Sequence, residues 1–515
     1  MYATAVKTRH GAGMRVKFLF LLLAPLVAAL VNPGNFGAID TVRRLQVARW
    51  IRLGAPEVNP SDTGFGIAGR NGKLHAYTGI GQSLVLIPFD ALVGAVVTPQ
   101  LTRFPLDAQR QSQVVEMAIA FLMQSAVTAG VLALAYELLL TFGFTSLISA
   151  AGALALLFGT TCLQYVQCAQ ENSLLLLTAL CALWSIRRYH ATNRATWASI
   201  AGLACALAIL TRLSSLLEAG IFLAFALVAG QNRKRFLTGF LPPLAAAFAF
   251  DRWYQYYRFG DVFSTYMGIA GRQLRPAGAP PSYPFSYPFW KGFFGTLFSA
   301  DKSIFLFDPL LVALLLLVLV TRRRLDQTLK QVLGWLALLE ALYIVSSARY
   351  FAFGGDVAWG HRYVLMPVQL LCLFAVPILI REATAVPAWS RRAAWALVAA
   401  SVILQAASTA IAPNLEVEQR RLGYDRGVVW NRAVNIYQIS LDRQEPSRFN
   451  GIPIEWRTLY YLPFQLRFRF PALARWAIPA WLALSASVPF VVFAILRTAS
   501  GSKPARQPGS QVCHP

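Results

Sequence analysis

The chain has 515 residues, of which 56% are hydrophobic and only 14% charged, with a formal net charge of +24. A soluble domain needs about a quarter of its residues charged to cover its surface, so composition excludes that class. The basic excess sits in short clusters between apolar runs, not on one continuous face; this argues against nucleic acid and fits topology signals and anionic headgroups.

The first apolar run, at about 18–32, follows Lys7, Arg9, Arg15 and Lys17. No clear A-x-A cleavage site follows it, so it reads as an uncleaved first span with a cytoplasmic flank. The next run, at about 79–98, carries Gln82, Pro88 and Asp90. Counting it as a crossing puts the later basic clusters outside, so charge parity makes it a juxtamembrane or re-entrant helix on the external side. Further spans read at about 114–140, 145–162, 173–187, 197–211, 214–230, 236–251, 303–321, 331–348, 363–380, 393–412 and 476–496. Each suits a hydrocarbon core that a helix crosses in ~20 residues. The loops RRYHATNR, QNRKR, TRRR and IREATAVPAWSRR and the C-terminal tail then all fall inside, and all are basic. The expectation is an all-α polytopic membrane protein of about twelve spans, with both termini cytoplasmic. It divides into a transmembrane region at 1–412 with a long first external loop at 33–112, an external segment at 413–475, a last span at 476–496 and a disordered cytoplasmic tail at 497–515.

Polar residues able to do chemistry collect on the external side. They lie in the first loop, in TTCLQYVQCAQEN, in DRWYQYYRFGDVFSTYMG, in FAFGGDVAWGHR and in the 413–475 segment. In the first loop Asp40 precedes TVRRLQVARWIRLG, which predicts a helix over 41–53 with Asp40 as N-cap and Gly54 as the stop. Asp40 is therefore either a helix cap alone or a chemical centre. Its arginines 43, 44, 49 and 52 share no single face. Trp253, Tyr254, Tyr256 and Tyr257 suit either stacking on sugar faces or an interfacial belt. The six cysteines show no metal spacing; Cys162 and Cys168 leave a disulfide open, with packing the alternative. No phosphate loop or dinucleotide fingerprint is present, which argues against a cytosolic nucleotide-sugar site. The Gly354–Gly355 pair reads as a turn that lets backbone approach something bulky.

Asp40 with RRLQVARWIRLGAP resembles the first external loop of the GT-C glycosyltransferases, a superfamily that includes protein O-mannosyltransferases and aminoarabinose transferases. NGKLHAYTGIGQSLVLIPFDALVG is similar to their later juxtamembrane element, and LACALAILTR, YRFGDVFSTYMG, GFFGTLFSADKSIFLFDPLL and FGGDVAWGHRYVLMP resemble further segments in order, up to about residue 380. Thr41 stands where a second acid often lies, Asp308 replaces an aromatic, and Asp251 and Gln255 occupy a region where asparagine is common, so a divalent metal stays open.

The resemblance implies transfer of a sugar from a polyprenyl phosphate to a lipid, protein or polysaccharide acceptor, at the external face of an inner membrane. An acceptor hydroxyl is a poor nucleophile and needs a carboxylate to take its proton. A departing lipid phosphate needs Arg or Lys to offset its charge. Asp40 is the expected base, and Glu171 matches the acid of the family's second external loop; a solvated helix-terminal charge is its alternative. His361, Arg362, Lys302, Arg258 and Arg349 are the expected donor-phosphate ligands, with snorkelling to headgroups the other fate of Arg349 and Arg258. Asp356 is either a partner of Arg362 or a metal ligand. The rival function is a lipid or polysaccharide transporter without transferase activity, which would gather Glu116, Glu137, Glu218 and Glu340 along one midplane path.

Overall fold

A computed structural model describes residues 2–59, 66–230, 232–355, 358–424 and 426–501. Among these residues the chain is helical almost throughout, and one two-stranded hairpin is present. Helix α1 spans Tyr2–Val31, α2 spans Ile39–Leu53 and α3 spans Gly81–Val96, with strands β1 (Gly66–Ala68) and β2 (Leu74–Ala76) pairing antiparallel between α2 and α3. The later helices are named by their residues.

Each of the apolar runs read from the sequence is helical, because in hydrocarbon a backbone must satisfy its own hydrogen bonds. Six described helices are long and apolar enough to cross a membrane: Gly13–Val31, Gly81–Leu101, Ala108–Thr141, Gln327–Ser347, Ala388–Ala410 and Pro471–Ser500. Glu171–Thr192 and Arg233–Phe259 are long enough but not among these six, the remaining apolar helices are shorter, and the 363–380 run is two helices, Leu365–Cys372 and Ala375–Arg381. The Gly81–Leu101 helix is thus also able to cross by length and composition, where charge parity placed it wholly outside. The last helix runs to Ser500, past the 476–496 expected for it, and the remainder of the tail lies outside the described residues.

Packing follows small residues. The Ala195–Thr211 and Arg233–Phe259 helices make the most extensive helix pair, since Gly202 sits against the Phe240 backbone and Gly239 against the Ala195 carbonyl. Helix α1 packs between Ala108–Thr141 and Pro471–Ser500, where Lys17 reaches Glu137 at 2.8 Å. The 413–475 segment folds as short helices over its own small core of Ile411, Leu415, Phe449 and Ile452.

Candidate functional site

The turn that launches α2 decides where Asp40 points. The Gly37 amide donates to Asn35 Oδ1 at 2.6 Å, Gly37 takes a φ of +66°, and the helix then starts at Ile39 after an extended Ala38. The helix therefore begins two residues before the expected 41, and Asp40 lies inside its first turn and is not the N-cap. Its carboxylate is free of the capping role and faces a cavity. Gly54 does stop the helix, at φ +69° with its amide on the Trp50 carbonyl.

The same turn is stitched to the residues before Glu171. The Ala169 amide donates to the Phe36 carbonyl at 2.9 Å, while Thr41 Oγ1 and Gln82 Nε2 both donate to the Ala169 carbonyl at 2.8 Å. Gly37 packs on Cys168 so closely that a β-carbon there would have to displace backbone. These contacts bring Asp40 and Glu171, far apart in sequence, to one wall. Cys162 and Cys168 are both free thiols, so the disulfide left open above does not form; the Cys168 thiol donates to the Gly37 carbonyl.

Asp40, Glu171, Arg362 and Lys302 all line one cavity of about 1680 Å³. Asp40 Oδ2 lies 3.1 Å from Arg362 Nη1. Glu171 is paired with Arg44 Nη1 at 2.8 Å and with Arg212 Nη2 in a short contact, with its side chain only 4% exposed. It precedes the apolar run of its helix; burial would raise its carboxyl, but Arg44, Arg212 and Arg362 outweigh that and hold it well below the usual carboxylate range. The Arg362 carbonyl accepts from Asn172 Nδ2 at 2.7 Å. Lys302 Nζ donates to the Ala358 and Gly360 carbonyls at 2.6 and 3.3 Å. The Gly354–Gly355 turn has its expected purpose: a β-carbon at Gly354 would collide with the Lys302 stem, and one at Gly355, at φ +77°, with the Arg362 stem. Two glycines thus let two cations lie flat against the backbone and reach the cavity. Tyr77 also lines the wall, and burial followed by the Asp40 charge pushes its phenol up.

Three expected phosphate ligands are not at this cavity. His361 is fully buried between Phe353 and Tyr363, with neither ring nitrogen hydrogen-bonded among the described residues, and burial pushes its imidazole down to about 3. It is a neutral packing ring. Arg258, 1% exposed, donates from Nη1 to the Ala76 carbonyl at 2.6 Å and lies with its guanidinium 4.0 Å from the Tyr254 ring centre, so it clamps strand β2. Glu57 completes that cluster, 2.6 Å from His75 Nδ1 and 3.9 Å from Arg258. Arg349 is exposed and does not line the cavity. Asp356 falls outside the described residues.

Arg44 and Arg212 carry much of the site's charge, yet their roles were not read from the sequence; the TR at the end of LACALAILTR was the available signal for Arg212. The 413–475 segment supplies Arg420, Arg432, Glu455, Trp456, Tyr460 and Gln465 to the far wall. Of the aromatic group, Tyr254 is buried against Glu57, while Trp253, Tyr256 and Tyr257 line a separate small surface pocket with Arg70. Among the described residues no group of three His, Cys, Asp or Glu side chains could hold a metal, and Asp40 and Glu171 are engaged by arginine. Glu116, Glu137, Glu218 and Glu340 do not line the cavity. Comparison with protein-family models, with curated proteins and with solved structures finds no match.

Proposed function

We propose that the chain is an integral-membrane glycosyltransferase of the GT-C type, moving a sugar from a polyprenyl-phosphate donor to an acceptor hydroxyl at the external, periplasmic face of the inner membrane. In this reading the spans number about twelve and both termini are cytoplasmic. The observation that carries it is the meeting of Asp40, Arg362, Lys302 and the Arg44–Glu171–Arg212 group on one cavity beside the membrane helices. The rival reading, a transporter, would use the acids Glu116, Glu137, Glu218 and Glu340, which do not line this cavity.

Asp40, part-exposed, takes the proton of the acceptor hydroxyl as its oxygen attacks the anomeric carbon. The carbon–oxygen bond to the phosphate breaks, and its electron pair leaves on the phosphate oxygen. Arg362, Lys302 and Arg212 offset that charge. Glu171 is a positioning residue: buried and held by two guanidinium groups, it fixes Arg44 and Arg212 and does not act as a base. Asp40→Asn is expected to lower transfer from a polyprenyl-phosphate sugar by about 10²–10⁴-fold with folding intact. Wild-type turnover in a well-folded Asp40→Asn protein would remove Asp40 from this role.

A further inference from the structure

Asp40 and Arg362 bind each other at the cavity wall, and the arginine's backbone, its stem and its stacking 5.2 Å over the Tyr363 ring hold it independently of that contact. Its carbonyl accepts from Asn172 Nδ2 and, at 3.4 Å, from Arg212 Nη1, and its stem lies in the space left by Gly355. At the tip, Nη1 donates to Asp40 Oδ2, while Nε is buried with no hydrogen-bond partner among the described residues. The Arg362 and Asp40 side chains are 21% and 20% exposed, so a ligand in the cavity can reach both. Glu171 offers a contrast at 4% exposure, enclosed by Arg44 and Arg212. Lys302 is spread over two carbonyls.

The pair is held by a single contact, Nη1 to Oδ2, so an incoming acceptor has one hydrogen bond to replace. A phosphate ester has more acceptor oxygens than a carboxylate and matches a guanidinium in a bidentate manner. While Asp40 Oδ2 accepts from Arg362 Nη1 at 3.1 Å, that oxygen is turned to the arginine and not to an acceptor hydroxyl. We propose that the Asp40–Arg362 pair is a latch opened by the donor's phosphate: Arg362 exchanges the carboxylate for the phosphate, and Asp40 is released as a base only once the leaving group is in place. The inference rests on the transferase reading and adds an order to it, donor before acceptor.

The test is the binding of farnesyl phosphate, a short prenyl monophosphate, to the full-length protein in detergent. Wild type, Asp40→Asn, Arg362→Gln and the double variant are compared by calorimetry, each first checked for monodispersity and thermal midpoint. If the latch exists, Asp40→Asn binds about threefold to tenfold tighter than wild type, because the phosphate no longer displaces a competitor. In the Arg362→Gln background the same substitution changes affinity by less than about twofold. No gain in Asp40→Asn overturns the latch. An equal gain with Arg362 removed also overturns it, since the effect is then general charge repulsion. If wild type does not bind the probe at all, the transferase reading itself fails. Where Arg362→Gln does not fold, Arg362→Lys takes its place; it keeps the charge but loses the planar fork, and the coupling is expected to shrink.

Discussion

His361 and Arg362 are neighbours in the chain with opposite environments. One ring is enclosed by Phe353 and Tyr363, while the next side chain reaches the cavity. Unfolded, a histidine takes up a proton near its ordinary value of 6.5; folded, burial holds His361 neutral down to about 3. Between those two values the unfolded chain binds the extra proton, so stability falls as pH falls from about 6.5. Over the upper part of that window, from pH 6.5 to 4.5, the loss attributable to this residue reaches up to about 3 kcal/mol. His361→Phe, which keeps a ring between its neighbours, is expected to flatten the fall of the thermal midpoint between pH 7 and 4.5 in detergent. Parallel wild-type and variant curves would show that His361 contributes nothing there. The sequence revealed such residues as polar exceptions in an apolar chain, which is why Asp40, Glu171, Arg362 and Lys302 could be named. What it withheld is which exception is satisfied internally. Arg258 looked like a phosphate ligand because its partner, the Ala76 carbonyl, lies 182 positions away on a strand no pattern announced. Burial and long-range partners are properties of the fold, not of residue type.

At the scale of elements, α2 explains why its arginines share no face: they serve different neighbours. Arg44 turns inward to Glu171, while Arg49 and Arg52 close on Asp90 of α3 at 3.0 and 2.6 Å. The apolar runs and the glycine stop made these helices legible, whereas the start of α2 was misplaced because the Asn35–Gly37 turn acts through a side chain and a positive φ. Asp90 is the hinge pin of the α2–α3 pair. In Asp90→Asn the two arginines, already 30% and 29% exposed, can turn to water, so the stability cost is about 1 kcal/mol. On the transferase reading proposed above, the effect on transfer is expected to be larger, about tenfold or more, because Asp40 and Arg44 ride on the same helix and small misplacements are costly to a reaction. Transfer rate and thermal midpoint measured on one preparation separate the two. A rate that falls only with the folded fraction would show that α2 is positioned without Asp90.

Across the whole molecule, the 413–475 segment has to be held over a cavity whose opposite wall belongs to the 33–112 loop. One buried side chain does much of the joining. Gln167, 3% exposed, directs Nε2 at the carbonyls of Val31, Thr409 and Tyr460, at 3.0, 2.7 and 3.1 Å. It thus ties the end of α1, the end of the Ala388–Ala410 helix and the return of the 413–475 segment to the turn that precedes Glu171. Around it, Tyr460 donates its amide to the Ala410 carbonyl at 2.8 Å and its hydroxyl to Asn35 Oδ1 at 3.2 Å, and the Leu462 amide reaches the Asn32 carbonyl at 2.7 Å. Gln167→Leu keeps the volume and removes the shared donor, leaving buried carbonyls short of partners at a cost of about 1–3 kcal/mol. The membrane helices keep their own packing, so the loss should fall on the docking of the segment and not on the bundle. Limited proteolysis of the protein in detergent is expected to cut within 413–475 several-fold faster in Gln167→Leu than in wild type, with the helical content unchanged. Equal cleavage rates would mean that the Tyr460 and Leu462 contacts suffice and that the far wall of the cavity is held without Gln167.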